Sequence, residues 1–153
     1  MSPGRATLAA ALVAAGTLAI DQITKALVRN SIERGKTVDV LPGVDLVNTR
    51  NSGVAFSLFT GGGRLLGVIA VVALIGLLIF FFRHLDRPLI WLPTGMLIGG
   101  AAGNLVDRAA EGSVTDFIDV PMWPVFNVAD IGVTVGMLLL LYVLEGPPSR
   151  AHR

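Results

Sequence analysis

The chain has 153 residues, of which 53% are hydrophobic and 15% charged, with a net charge of +1 and no cysteine. A soluble domain carries roughly 25% charged residues, and one this small has a large surface to cover with polar groups. The composition excludes a disordered chain, a nucleic-acid binder, a disulfide scaffold and thiol chemistry; with a mean hydropathy of +0.71 it points to a membrane.

A bilayer core about 30 Å thick needs roughly 20 helical residues to cross it. The first apolar run covers about 6–28. Its uncharged part, Ala6 to Ile20, is followed by Asp21 and Lys25. Arg5 and the Ala-rich stretch also fit a cleaved signal peptide. Against that, the run passes straight into a charged pair rather than into a polar mature domain. An outer loop of about 30–63 follows. Thr37 to Leu41 and Val44 to Asn48 read as strands around the Pro42-Gly43 turn. Arg50 to Gly53 reads as a second turn, and Val54 to Leu58 as a third strand. Gly61, Gly62 and Gly63 free the chain to enter the second helix.

The second span covers about 65–82 and has no charge. A short turn, Arg83 to Arg87, holds His84. The third span covers about 88–107 and closes on Asp107 and Arg108. Its glycines, Gly99, Gly100 and Gly103, read as close-packing positions rather than as a phosphate cradle. An outer stretch then carries Val114-Thr115-Asp116-Phe117, an extended segment. The fourth span covers about 125–144, with Asp130 in its second turn. No internal repeat is visible.

The expected fold is an all-α membrane bundle of four transmembrane helices with a small extracytoplasmic β-sheet, one domain over 1–153. The short turn and both tails carry Arg5, Arg83, Arg87, Arg150 and Arg153. Their basic density puts the termini inside, although the long loop holds Arg29, Arg34, Lys36, Arg50 and Arg64.

An ionisable residue inside a span is costly, so its default reading is functional. Asp21, Lys25, Asp107, Arg108, Asp116 and Asp130 all fall toward the outer side. Asp21 and Lys25 are i,i+4 and read first as an internal ion pair. Arg108 beside Asp107 reads as a helix-end clamp. Asn104 shares a face with its helix-end charges, and Asn127 with Asp130. Asp116 and Asp130 form the sharper pair. Two carboxylates meeting at a membrane edge hold one proton between them, and such a pair can activate water and protonate a leaving group. Paired carboxylates also build cation sites and proton relays. His84 and His152 lie opposite the cluster, so no Ser-His-Asp triad is available, and zinc motifs are absent. A small ion-coupled carrier and an assembly subunit are the rival classes. A carrier needs polar groups near the midplane, and these gather at one edge.

Five blocks carry a family resemblance: Asp21-Gln22-Ile23-Thr24-Lys25, Asn51-Ser52-Gly53-Val54-Ala55-Phe56, Gly103-Asn104-Leu105-Val106-Asp107-Arg108, Val114-Thr115-Asp116-Phe117 and Phe126-Asn127-Val128-Ala129-Asp130. Together, in this order, they resemble the lipoprotein signal peptidases (signal peptidase II) of the bacterial inner membrane. The resemblance implies an aspartic endopeptidase that cuts diacylglyceryl-modified prolipoproteins before the lipidated Cys, without metal or cofactor. It implies a catalytic dyad of Asp116 and Asp130. It gives Asn51, Asn104, Arg108 and Asn127 to substrate or dyad. Asp21, Lys25 and Asp107 support the site, and Gly53, Ala55 and Phe56 shape the adjoining loop. It implies a multi-pass protein of the cytoplasmic membrane, termini cytoplasmic, with its active site near the outer face. Lipid and prolipoprotein are the expected partners, nucleic acid is not, and a dyad within one chain needs only a monomer. The stretch between Phe117 and Phe126 is short by family standards.

Overall fold

The computed structural model describes residues 1–52 and 62–146. The expected third loop strand, Val54 to Leu58, lies outside the described residues, as do Gly53, Ala55, Phe56, Gly61, Arg150, His152 and Arg153. Among the described residues the order is α1 (Pro3–Ser31), β1 (Thr37–Leu41), β2 (Val44–Asn51), α2 (Gly62–Arg83), α3 (Trp91–Glu111), β3 (Val114–Asp119) and α4 (Val128–Glu145).

Helix α1 starts on Pro3, whose fixed φ suits a first turn and whose missing N–H costs nothing there. It buries Ala6, Ala10, Asp21, Lys25 and Val28 along one side, and Leu8, Leu12, Ile20, Ile23 and Leu27 face outward. That apolar outer face suits lipid rather than water. Among the described residues α1 and α4 are long and apolar enough to cross a membrane, and Gly67–Arg83 is a shorter apolar helix.

Helix α3 is the centre of the bundle and packs against α1, α2 and α4. Its glycines allow this. A Cβ on Gly99 would lie 2.5 Å from the Ala14 carbonyl oxygen of α1, and one on Gly100 would lie 2.5 Å from the Ala129 carbonyl of α4. The expected packing role of these glycines is met. Gly112 ends α3 in the left-handed conformation (φ 71°) and donates its N–H to Arg108 O.

Several expected boundaries move for local reasons. Helix α3 begins at Trp91 rather than near 88, because Leu89 sits at φ 62° and breaks the helical path. It runs one turn past Asp107 to its glycine cap. Helix α4 begins at Val128 rather than near 125, because Phe126 is spent bridging Ile118 of β3. Asp130 is therefore in the first turn of α4, not the second. Arg50 and Asn51, expected to open a turn, are instead the end of β2, which stays extended through Asn51, and Gly53 lies outside the described residues.

The sheet is antiparallel in the order β1-β2-β3. Gly43 (φ 79°) supplies the turn between β1 and β2. Strand β3 comes from the second outer stretch and pairs Asp116 with Thr49 and Thr115 with Arg50. Val28, Ile32 and Phe117 form a small core, backed by Leu46, Ile118 and Val128, that seats the sheet on the end of α1. A second core at the other end joins Ala10, Phe81, Ile90, Leu97 and Leu140.

Candidate active site

The charged residues of the spans meet at one end of the bundle. Lys25 is fully buried on α1. Its Nζ lies 2.9 Å from Asp21 Oδ2 and 3.1 Å from Asp107 Oδ2, and donates to Asn104 Oδ1 at 3.0 Å. The ion pair expected one turn apart on α1 is present, and α3 completes it with a second carboxylate. Burying three charges is tolerable only because each has partners.

The Asp21 and Asp107 carboxylates also reach backbone. Asp21 Oδ1 accepts from Ala129 N at 2.9 Å. Asp107 Oδ2 accepts from Thr115 N at 2.9 Å. Gln22 Nε2 lies 3.1 Å from Asp21 Oδ2, from Asp107 Oδ1 and from Gly103 O.

Asn127 is the joint between Asp116 and Asp130. It caps α4 in a reciprocal arrangement: Asp130 N donates to Asn127 Oδ1 at 3.0 Å, and Asn127 N donates to Asp130 Oδ2 at 3.2 Å. The same Asn127 donates through Nδ2 to Asp116 Oδ1 at 2.6 Å. The cap thus forms part of the site. Asn104 Nδ2 donates to Asp130 Oδ1 at 2.8 Å, and Asn51 Nδ2 donates to Asp116 Oδ2 at 2.9 Å. Each carboxylate is oriented by two asparagines.

Asp116 lies on β3, outside the helices, and is 3% exposed. Burial holds its carboxyl above the usual carboxylate range. The Asp130 charge pushes the same way, while the Asn51 and Asn127 hydrogen bonds and the Lys25 charge pull it back. Asp116 is thus a buried carboxylate that feels the charge of Asp130.

Arg108 turns back along α3 and donates to Asn104 O at 3.3 Å, which clamps the end of its own helix. His84 is at the opposite end, stacked on Phe80 with ring centroids 4.1 Å apart. Sequence reasoning missed Gln22, Arg29, Arg50 and Glu111. Gln22 lies inside the Asp21-to-Lys25 block, where an amide beside a buried carboxylate is itself a signal.

Two solved structures described as bacterial membrane enzymes share the fold. One, solved by the in meso method at 1.9 Å, has a TM-score of 0.84 and 30% identity, covering 89% of this chain and 92% of that one. The other, at 2.3 Å, has a TM-score of 0.80 and 30% identity, covering 88% and 86%. The fold is thus one shared with membrane enzymes. The sequence model of the Signal peptidase (SPase) II family matches residues 13–145, and the chain belongs to that family. It is 36% identical over 144 residues to the lipoprotein signal peptidase of Moorella thermoacetica, covering 93% of this chain and 96% of that one. It is 42% identical over 137 residues to that of Rhodococcus jostii, covering 85% and 69%.

Proposed function

We propose that the protein is an aspartic endopeptidase that removes signal peptides from diacylglyceryl-modified prolipoproteins, cutting before the lipidated Cys. The observation that carries this reading is the Asn127 side chain, bonded both to Asp116 and to the backbone N–H of Asp130. Asp116, raised by burial, holds the shared proton. Asp130 takes a proton from water as the oxygen attacks the scissile carbonyl. Asp116 gives its proton to the carbonyl oxygen. Collapse of the tetrahedral intermediate breaks the C–N bond: the proton on Asp130 passes to the leaving amine, and one hydroxyl of the intermediate returns its proton to Asp116 as the carbonyl re-forms. No metal or cofactor takes part.

Asn51, Asn104 and Asn127 orient the carboxylates and present polar groups to the substrate backbone. Arg108, at the end of α3, contacts substrate outside the pair. Asp21, Lys25 and Asp107 hold the frame. All four helices cross the cytoplasmic membrane as one domain, termini inside and the Asp pair near the outer face. A lipid-anchored substrate keeps its acyl chains in the bilayer and offers its scissile bond at that depth. The protein works as a monomer.

Purified protein in detergent should cleave a diacylglyceryl-modified prolipoprotein peptide just before the modified Cys. It should leave the unmodified peptide uncut and keep its turnover with a chelator present. No cleavage of the modified peptide would overturn the reading.

A further inference from the structure

Thr115, the residue before Asp116, is fully buried and uses both its backbone groups and its hydroxyl. Its N–H donates to Asp107 and its carbonyl accepts from Asn127 Nδ2 at 3.3 Å. Its hydroxyl oxygen accepts from two guanidinium groups, Arg50 Nη1 at 2.7 Å and Arg29 Nη1 at 3.1 Å. Glu111 closes the ring: Oε1 lies 3.4 Å from Arg29, and Oε2 pairs with Arg50. One residue from each of α1, β2, α3 and β3 meets here.

The strand geometry says what this ring grips. Arg50 and Thr115 are register partners, so their side chains share one face of the sheet. Asn51 and Asp116, each one residue on, share the other. The ring holds the back of the strand whose front presents Asp116. Strand β3 is six residues long and lies at the edge of the sheet, paired with β2 on one side and met on the other only by the Phe126 bridge at Ile118. Such a strand needs pinning if one of its side chains must meet a partner on a helix. Hydrogen bonds from charged donors are the strong, directional kind suited to that task. A misplacement of about 1 Å at a reacting group costs on the order of 10²-fold in rate.

We propose that Arg29, Arg50 and Glu111, acting through the Thr115 hydroxyl, are positioning residues that hold Asp116 in place against Asp130; this rests on the peptidase reading above. None of the three needs to touch substrate. Thr115 is the coupling atom set, and the arginines fix its height because Glu111 fixes them.

The test is steady-state cleavage of the diacylglyceryl-modified peptide by the full chain, with thermal unfolding measured alongside. Thr115→Val keeps the side-chain shape and removes the acceptor. Its kcat should fall by about 10- to 100-fold with KM and the unfolding midpoint unchanged. Thr115→Ser should recover most of that loss. Glu111→Gln, at the partly exposed side of the ring, guards against a Thr115→Val chain that fails to fold. It should lower kcat more modestly and add nothing further in a Thr115→Val background. A Thr115→Val enzyme with undiminished kcat overturns the proposal. So does a loss that tracks the unfolding midpoint and is not rescued by serine, or Glu111→Gln and Thr115→Val effects that multiply independently. Wild-type protein that leaves the modified peptide uncut overturns the peptidase reading instead.

Discussion

Asp21 and Asp107 grip the same Lys25 ammonium, at 2.9 and 3.1 Å, and each also holds one backbone N–H of the site. Asp21 takes Ala129 N, and Asp107 takes Thr115 N. Ala129 precedes Asp130, and Thr115 precedes Asp116. One buried cation therefore ties down the chain immediately before both candidate catalytic carboxylates. It does so across three helices and a strand, which are otherwise joined mainly by apolar packing.

Lys25→Met should destabilise the protein more than removal of all three charges together. The single change strands Asp21 without a counter-ion and leaves Asp107 only the longer Arg29 contact at 3.8 Å, and breaking a buried ion pair in this way costs about 3–5 kcal/mol. The triple variant Asp21→Asn, Lys25→Met, Asp107→Asn leaves no such charge. Thermal unfolding in detergent should show the lower midpoint for Lys25→Met. A triple variant that melts first would contradict the account.

Asp116→Asn and Asp130→Asn should each abolish cleavage of the modified peptide, by at least about 10²-fold in kcat. Each amide keeps one acceptor oxygen for the surrounding asparagines, so membrane insertion and unfolding should be preserved. Asp107→Asn should behave differently, lowering the unfolding midpoint more than the chemistry. Turnover retained in either Asp116→Asn or Asp130→Asn would remove that residue from the mechanism. Complete loss in Asp107→Asn with an intact fold would reopen which carboxylate partners Asp130.

Asn51→Ala should move the alkaline limb of kcat/KM to higher pH. Burial and then the Asp130 charge raise the Asp116 carboxyl, and the Asn51 hydrogen bond works against them by favouring the ionised form. Removing that bond raises it further. In the proposed mechanism the working form keeps a proton on Asp116, so activity should be lost as pH rises through that group's pKa. A limb that moves toward acid would show that Asp116 is not the proton holder.

The helices and the ionisable cluster were legible because a membrane makes every charge conspicuous. Asp21, Lys25, Asp107 and Asp130 interrupt apolar runs, and helical spacing already put Asp21 with Lys25 and Asn127 with Asp130. Asp116, in its apolar extended segment, already read with Asp130 as the sharper pair, and the five blocks then implied a catalytic role for the two. What periodicity did not reveal came from the sheet. That β2 runs on through Asn51, and that Thr115 faces Arg50, depends on long-range register, which no local pattern encodes. Arg29, Arg50 and Glu111 looked like ordinary surface charges because their partners lie far away in sequence.

Gly99→Ala should be poorly tolerated and Gly16→Ala harmless. A Cβ at 99 would lie 2.5 Å from the Ala14 carbonyl oxygen and 2.7 Å from Thr17 Cβ, and backbone can yield only if α1 and α3 part. Overpacking of this kind costs about 1–3 kcal/mol. At Gly16 nothing lies within 4 Å, so the better helix former fits freely. Unfolding midpoints of the two variants should diverge; equal midpoints would mean the α1–α3 contact is looser than the geometry requires.

Trp123 should lie at headgroup depth in a bilayer. It follows Met122, which φ 65° turns fully outward, and it is itself 67% exposed. With Phe126, Asp130, Ile131, Thr134 and Val135 it lines a hollow of about 200 Å³. The hollow opens beside the outward stripe of α4 formed by Ile131, Val135, Leu138 and Tyr142. An amphipathic ring at the end of such a stripe belongs at the membrane–water boundary. The chain has two tryptophans, so Trp91→Phe leaves Trp123 as the sole indole fluorophore. In phospholipid vesicles its emission should be quenched more by a label near the headgroup than by one deep in the acyl region. Quenching only by a water-soluble agent would place the turn in solvent, and equal or stronger quenching by the deep label would place it in the core. Either result would separate the hollow beside Asp130 from the bilayer surface through which the proposed lipid-anchored substrate would arrive.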